Sequence, residues 1–151
     1  MSLSSRGFTL LELIVVLAIA AVILVIALPV GGKRSGRELE RAARDVAASL
    51  RVARERAILA NAGAALTVDL EHGSYHADGA GRPTAFPPGT DVRLFTTADE
   101  EESRRIGHIR FYPDGSASGG GVLLSRDGEH RAVLVDWLTG AVEVHNDTGK
   151  R

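Results

Sequence analysis

Hydrophobic and polar positions divide the chain into three patterns. From Leu13 to Val30 the sequence is apolar and uncharged for 18 residues, the length and composition of a helix that can cross a bilayer. From Leu39 the apolar positions Leu39, Ala42, Ala43, Val46, Leu50, Ala53 and Ala57 recur at steps of three and four, which draws one stripe along an amphipathic helix. Most of that stripe is small, so it suits close packing on a sheet. After Gly63 the period falls to two. Ala65 to Leu70, Tyr75-His76, Val92 to Phe95, Ile109 to Tyr112, Val122 to Ser125, Ala132 to Val135 and Ala141 to Val144 read as strands.

Breakers separate these patterns. Pro29 removes a backbone donor near the end of the apolar run, Gly31-Gly32 weakens helix continuity, and Ser35-Gly36-Arg37-Glu38 reads as a capping box. A kink at Pro29 and a helix over about 35–61 are the expectation, with Asn61-Ala62-Gly63 as its stop. On the polar face Glu40 and Arg44, Arg41 and Asp45, and Arg51 and Glu55 stand four apart as exposed pairs. Helical throughout, Phe8 to Asn61 would rise on the order of 80 Å. Asp127-Gly128 and Thr139-Gly140 mark hairpin turns, and Gly119-Gly120-Gly121 a corner. Asp99 to Arg105 is dense in charge and reads as a solvated loop. The fold class is α+β: a long N-terminal helix, half transmembrane and half amphipathic, packed on a C-terminal antiparallel sheet or small β-sandwich. The β-rich part covers 64–145.

Composition narrows the partners. With 151 residues and a formal charge of −1, the chain holds one domain plus an anchor and carries no strong basic field for nucleic acid. Cysteine is absent, so disulfides and thiolate metal sites are ruled out. Arg6 before the apolar run favours a cytoplasmic amino terminus; Lys33, Arg34 and Arg37 beyond it pull the other way. A cleaved secretory signal fits poorly, because the run is longer than the usual 7–15 residues and lacks a small-x-small site.

The five histidines suggest no metal or catalytic site. His72 and His76 straddle a turn, and His108, His130 and His145 fall at strand edges without a nucleophile pattern. No cofactor is implied and no enzyme activity is expected. Trp137, the sole tryptophan, reads as core or a corner plug, with contact to a neighbouring subunit as the other possibility.

The chemically unusual residue is Glu12, a carboxylate just inside the apolar run. Such a charge costs about 2.5–3.5 kcal/mol at a helix centre and less near an end, so it calls for a partner or a function. The string Gly7-Phe8-Thr9-Leu10-Leu11-Glu12, with Arg6 before it, resembles the processing site of type IV pilins and type II secretion pseudopilins. That resemblance implies a leader over 1–7, cleavage between Gly7 and Phe8 by a prepilin peptidase, N-methylation of Phe8 by the same enzyme, a transmembrane and assembly helix over 8–30, and a periplasmic pilin-like domain over 31–151. Glu12 is then the subunit-assembly carboxylate. Removing the leader would leave 17 of the 18 basic side chains against 19 acidic ones. Glu12 facing an adjacent subunit's new amine would set register more than stability.

Phe111-Tyr112-Pro113-Asp114-Gly115-Ser116-Ala117-Ser118-Gly119-Gly120, followed by Val135-Asp136-Trp137-Leu138-Thr139-Gly140, is similar to the carboxy-terminal pattern of general secretion pathway protein H, a minor pseudopilin, and of FimT-type minor pilins. The resemblance implies a structural subunit of a periplasmic pseudopilus. Its partners would be other pseudopilins in a hetero-oligomeric filament, the prepilin peptidase and methyltransferase, and the inner-membrane assembly platform. Its location would be the bacterial inner membrane, single-pass, with the C-terminal domain periplasmic. The alternative is a minor type IV pilin for pilus assembly or DNA uptake, for which Lys150 and Arg151 are the favouring residues.

Overall fold

The structure, a computed structural model, describes residues 10–27, 31–96, 101–103 and 105–146. Two compact units divide the chain, Met1–Gly31 and Gly32–Arg151. The first holds helix α1, Leu10–Ala27, in which every residue except Glu12 is apolar. Side chains 10–21 are all exposed, on every side of the helix. Among the described residues no helix is long and apolar enough to cross a membrane; α1 rises about 27 Å, just short of a hydrocarbon core of about 30 Å. The kink expected at Pro29 falls in residues 28–30, outside the described residues, as do Gly7 and Phe8.

Helix α2, Gly31–Ala60, opens the second unit. It begins four residues ahead of the expected capping box, so Ser35 is no cap. Ser35 is buried instead, and its hydroxyl donates to Asp127 Oδ2 at 2.5 Å in a hairpin turn far along the chain. Two glycines at the start cost about 1 kcal/mol each against alanine, a weak preference that packing further along the helix overrides. The stop falls where expected. Asn61 takes the left-handed φ of 48°, Ala62 N donates to Ala57 O and Asn61 N to Ile58 O, which is the Schellman closure of a helix end.

Nine strands among the described residues form two antiparallel sheets. The first contains β1 (Ala64–Asp69), β2 (Ser74–Ala77), β3 (Thr84–Ala85), β5 (Glu101–Ser103) and β6 (Ile106–Phe111), in the order β3-β2-β1-β6-β5. The second contains β4 (Asp91–Phe95), β7 (Gly120–Arg126), β8 (Glu129–Val135) and β9 (Val142–Asn146), in that order. Strand β5 corrects the reading of 99–105 as loop: Glu101 pairs with Gly107 and Ser103 with Ile106 across a register shift. Hydrogen bonding to a neighbouring edge recruits a segment whose composition alone favours solvent.

The stripe of α2 and the inner faces of both sheets share one core. Leu39, Val46, Leu50, Ala53 and Ala57 cluster with Leu66, Val68, Ile109, Phe111, Val122, Leu124, Val133 and Val135. In the second sheet one inner row runs in register from Leu94 through Val122 and Val133 to Val144. Period-two alternation puts the sequence neighbours of these residues on the outer face, where Phe95, Gly121, Leu134 and Glu143 form the adjoining row. The helix therefore packs on antiparallel sheets in the expected α+β arrangement, with two sheets sharing its core.

Candidate assembly site

Two regions carry the residues singled out in the sequence. The first is α1. Glu12 lies in its first turn, exposed, ringed by Leu10, Leu11, Leu13 and Val16, which are 77%, 73%, 56% and 54% exposed. A carboxylate in the first turn of a helix is favoured by the aligned peptide dipoles. An apolar cylinder exposed all round has to be covered by lipid or by other helices, since leaving it in water opposes the main driving force for burial.

The second is a corner in which the two halves of the carboxy-terminal pattern meet. Tyr112 N donates to Ser116 O, and Gly115 N donates to Tyr112 O, closing the Pro113-Asp114 turn. Asp114 Oδ1 takes the Ser116 backbone N–H and hydroxyl at 3.0 and 2.6 Å. Asp136 does the same for its own turn, accepting from Leu138 N, Thr139 N and the Thr139 hydroxyl. These donors hold both carboxyls below the ordinary range: the Ser116 hydroxyl leads for Asp114, the Thr139 backbone N–H for Asp136. A hydrogen bond from Ala117 N to Trp137 O, 2.9 Å, stitches one turn to the other.

Arg54 of α2 ties the corner down. Its Nε donates to Gly115 O and its Nη2 to Thr139 O, each at 3.0 Å, so one planar guanidinium spans both turns. One helical turn earlier, Arg51 Nη2 donates to Val142 O at 3.0 Å. Arg51 was expected to pair with Glu55 on an exposed face; its guanidinium reaches a strand carbonyl instead. Neither arginine is marked in sequence by more than its helix position.

Trp137 corrects the core reading. It is 65% exposed, and Leu138 beside it is 64% exposed. Asp136 turns the backbone at this point, which projects both side chains outward. Four of the five histidines have structural partners close by: His72 Nδ1 lies 2.7 Å from Asp69 Oδ2, His108 Nδ1 3.0 Å from Thr67 Oγ1, His130 Nδ1 3.0 Å from Ser125 Oγ and His145 Nε2 3.0 Å from Glu143 Oε2. Among the described residues no group of three or more His, Cys, Asp or Glu is placed to hold a metal ion.

Sequence reading also missed Arg131. In register with Leu124, it lies on the inner face of β8 with its side chain 12% exposed, and its Nε reaches Glu40 Oε2 at 2.8 Å. Glu40 also takes Arg44 Nη2 at 3.0 Å, the one expected helix pair that the geometry delivers together with its strand partner. The Arg131 guanidinium is the leading cause that holds Glu40 below its ordinary value.

Comparison with known proteins fits these two regions. The family described as Type II transport protein GspH matches residues 42–140, and the Prokaryotic N-terminal methylation motif matches residues 3–28. The Type II secretion system protein H of Xanthomonas campestris pv. campestris is 34% identical over 139 residues, covering 91% of this chain and 81% of that protein. Two solved structures share the fold at 13% identity. The minor pseudopilin EpsH from the type 2 secretion system of Vibrio cholerae superposes with a TM-score of 0.56 over 74% of this chain and 98% of that one. The type IV minor pilin FimU of Pseudomonas aeruginosa gives 0.53 over 73% and 94%. On the family match and the curated relative together, the chain belongs to the GspH family of type II transport proteins and is a minor pseudopilin.

Proposed function

We propose that this chain is made as an inner-membrane precursor, trimmed between Gly7 and Phe8, methylated at the Phe8 amine and assembled with other pseudopilins into a periplasmic fibre. The observation that carries this is α1: an apolar helix exposed on all sides over residues 10–21, with one carboxylate in its first turn. In sequence the apolar run continues to Val30, which adds the length needed for a single span with the β-rich domain outside. Residues 1–7 act as leader, 8–30 as anchor and assembly helix, and 31–151 as the periplasmic domain, with a bend at Pro29.

Glu12 then serves a neighbour. Cleavage leaves a positive amine at Phe8, and stacking subunits would bury it among apolar side chains, where an unpaired charge is costly. Glu12 of one subunit neutralising the amine of the next sets the stagger between them. The chain performs no chemistry itself. A prepilin peptidase and methyltransferase mature it, and an inner-membrane platform adds it to the fibre. The alternative, a type IV pilin for DNA uptake, gains nothing from the fold, which EpsH and FimU share at similar scores; Lys150 and Arg151, which favoured it, lie outside the described residues.

The test is the mass of the membrane-bound protein. The unaltered chain is expected to begin at a methylated Phe8, and Gly7→Val to retain all seven leader residues. A mature chain beginning elsewhere, or normal trimming of Gly7→Val, overturns the reading.

A further inference from the structure

The corner at Trp137 is held by a dense set of hydrogen bonds, and it displays apolar side chains outward. The Asp136 carboxylate accepts three hydrogen bonds within the turn, Gly140 N returns to Asp136 O, and Asp136 N donates to Ala141 O. Arg54 holds Thr139 O from the helix side. A Cβ on Gly119 would meet Trp137 Cβ at 3.0 Å, so the tryptophan stem is backed by main chain. Trp137 and Leu138 nevertheless stay about two-thirds exposed. Rigid display of a large aromatic keeps the entropy lost on binding small, and tryptophan is enriched among the residues that dominate interface energy.

An apolar strip leads to this turn. On the outer face of the second sheet Phe95, Gly121, Leu134 and Glu143 stand in one cross-strand row. Phe95 and Leu134 are 55% and 44% exposed. A Cβ on Gly121 would overlap Leu134 Cδ2, so the leucine lies down across the glycine. Beside it Leu134, Val135, Asp136, Ala141 and Glu143 line a cleft of about 310 Å³. Its lining mixes apolar side chains with polar surface, and its two ionisable residues are both acidic.

We propose that this turn, strip and cleft dock a different subunit of the fibre, one that presents an apolar socket with a lysine or arginine at its rim. The inference rests on the filament reading above. Charge selects the occupant: a basic head seats against Asp136 and Glu143 while its stem covers Leu134 and Ala141. A second copy of this chain is disfavoured on the same ground. Among the described residues neither of its own apolar grooves offers a net basic rim: one, on α2, is lined by Val52 and Leu59 with Glu55 and Arg56, whose charges cancel, and the other, by Tyr75, Phe86 and Pro87, sets Arg41 beside both Glu38 and Asp45. The docking surface lies by the C-terminal third of α2, roughly 35 Å along the helix from Gly31, which suits contact with the subunit next along a fibre.

Leu138→Cys creates the only thiol in the full-length chain. Labelled with a benzophenone maleimide in cells carrying the complete secretion machine and irradiated, it is expected to join a pilin-like subunit other than itself, at an apolar surface bearing lysine or arginine. Adding Glu143→Lys is expected to lower the yield roughly tenfold or more, because like charges then meet, with leader removal and protease resistance unchanged. Trp137→Ser is expected to abolish the adduct. An adduct with a second copy, with lipid or with an exported protein, no adduct at all, or a yield indifferent to Glu143→Lys overturns the docking. Failure of the unaltered chain to be trimmed or to enter the fibre would show separately, in the mass and fractionation of unlabelled protein, and would overturn the filament reading first.

Discussion

Gly140 lies against Gly115 so closely that a Cβ on Gly140 would overlap the Gly115 carbonyl oxygen, the same oxygen that accepts from Arg54 Nε. Gly140 also holds a φ of 62°. Alanine there meets two penalties, about 1–2 kcal/mol for the left-handed backbone and about 1–3 kcal/mol for moving one turn off the other. Gly73 supplies the control, with a φ of 58° and nothing within 4 Å of an added Cβ. Urea unfolding of detergent-solubilised protein should give a loss of about 2–5 kcal/mol for Gly140→Ala and only about 1–2 kcal/mol for Gly73→Ala. Equal losses would mean that conformation alone, and no close approach, explains the glycine.

Arg54 predicts a contrast between two substitutions. Hydrogen bonds from a charged donor are worth about 1.5–3 kcal/mol each, less where water reaches them. Arg54→Ala is therefore expected to cost about 2–4 kcal/mol. Arg54→Lys should recover less than half of that, because a single ammonium cannot span the Gly115 and Thr139 carbonyls in the way a planar fork does. Full rescue by lysine would reduce the fork to a point charge.

Much of this architecture was legible in the residues, and the exceptions share a cause. The α2 stripe, the Asn61 stop and the strand alternation of β6 and β7 follow from local periodicity. Ser35, Arg51, Arg54 and Arg131 do not, because each acts on a partner 61 to 92 residues away. Ser35 matched a capping signature, yet its hydroxyl found Asp127. For Trp137 residue type favours the core or a corner plug over contact with a neighbouring subunit, whereas the Asp136 turn leaves it 65% exposed. In the first unit Glu12 was conspicuous from its surroundings alone, since a charge in an apolar run has no packing rationale.

The Glu40–Arg131 pair makes stability depend on acid. The folded carboxyl titrates below its ordinary value of 4.5, chiefly through Arg131. A depressed carboxylate contributes its full stabilisation above the unfolded value and loses it as pH falls through the folded value. Stability of the unaltered chain should thus decline below about pH 4.5, and Glu40→Gln should flatten that part of the profile while costing about 0.5–1.5 kcal/mol near neutrality. An identical acid limb in both proteins would remove Glu40 from the account.

His72 offers a spectroscopic check on the β1–β2 turn. Asp69 bonds its ring, which raises the His72 value above 6.5, while the His72 backbone N–H leads in lowering Asp69. The raised histidine contributes stability that is present below pH 6.5 and lost as pH climbs through its folded value; the lowered aspartate contributes above 3.8 and loses it in acid. The pair thus supports the turn between those limits. NMR titration should find His72 above 6.5 and Asp69→Asn should return it toward that value.

Glu12 separates maturation from assembly. Its place in the first turn of an apolar helix gives it no role in folding the β-rich unit, so Glu12→Gln is expected to leave unfolding of that unit unchanged. Under the proposed processing, cleavage would depend on the segment around Gly7 and Phe8, so leader removal and Phe8 methylation should proceed. In the proposed fibre, glutamine would lack the negative charge that a neighbour's amine needs in an apolar setting, where an uncompensated charge costs several kcal/mol. Mature Glu12→Gln protein should therefore accumulate in the membrane fraction, with co-purification of other pseudopilins reduced roughly tenfold or more. Restoration by Glu12→Asp, even in part, would identify charge as the requirement. Normal incorporation of Glu12→Gln would leave the carboxylate without an assembly role.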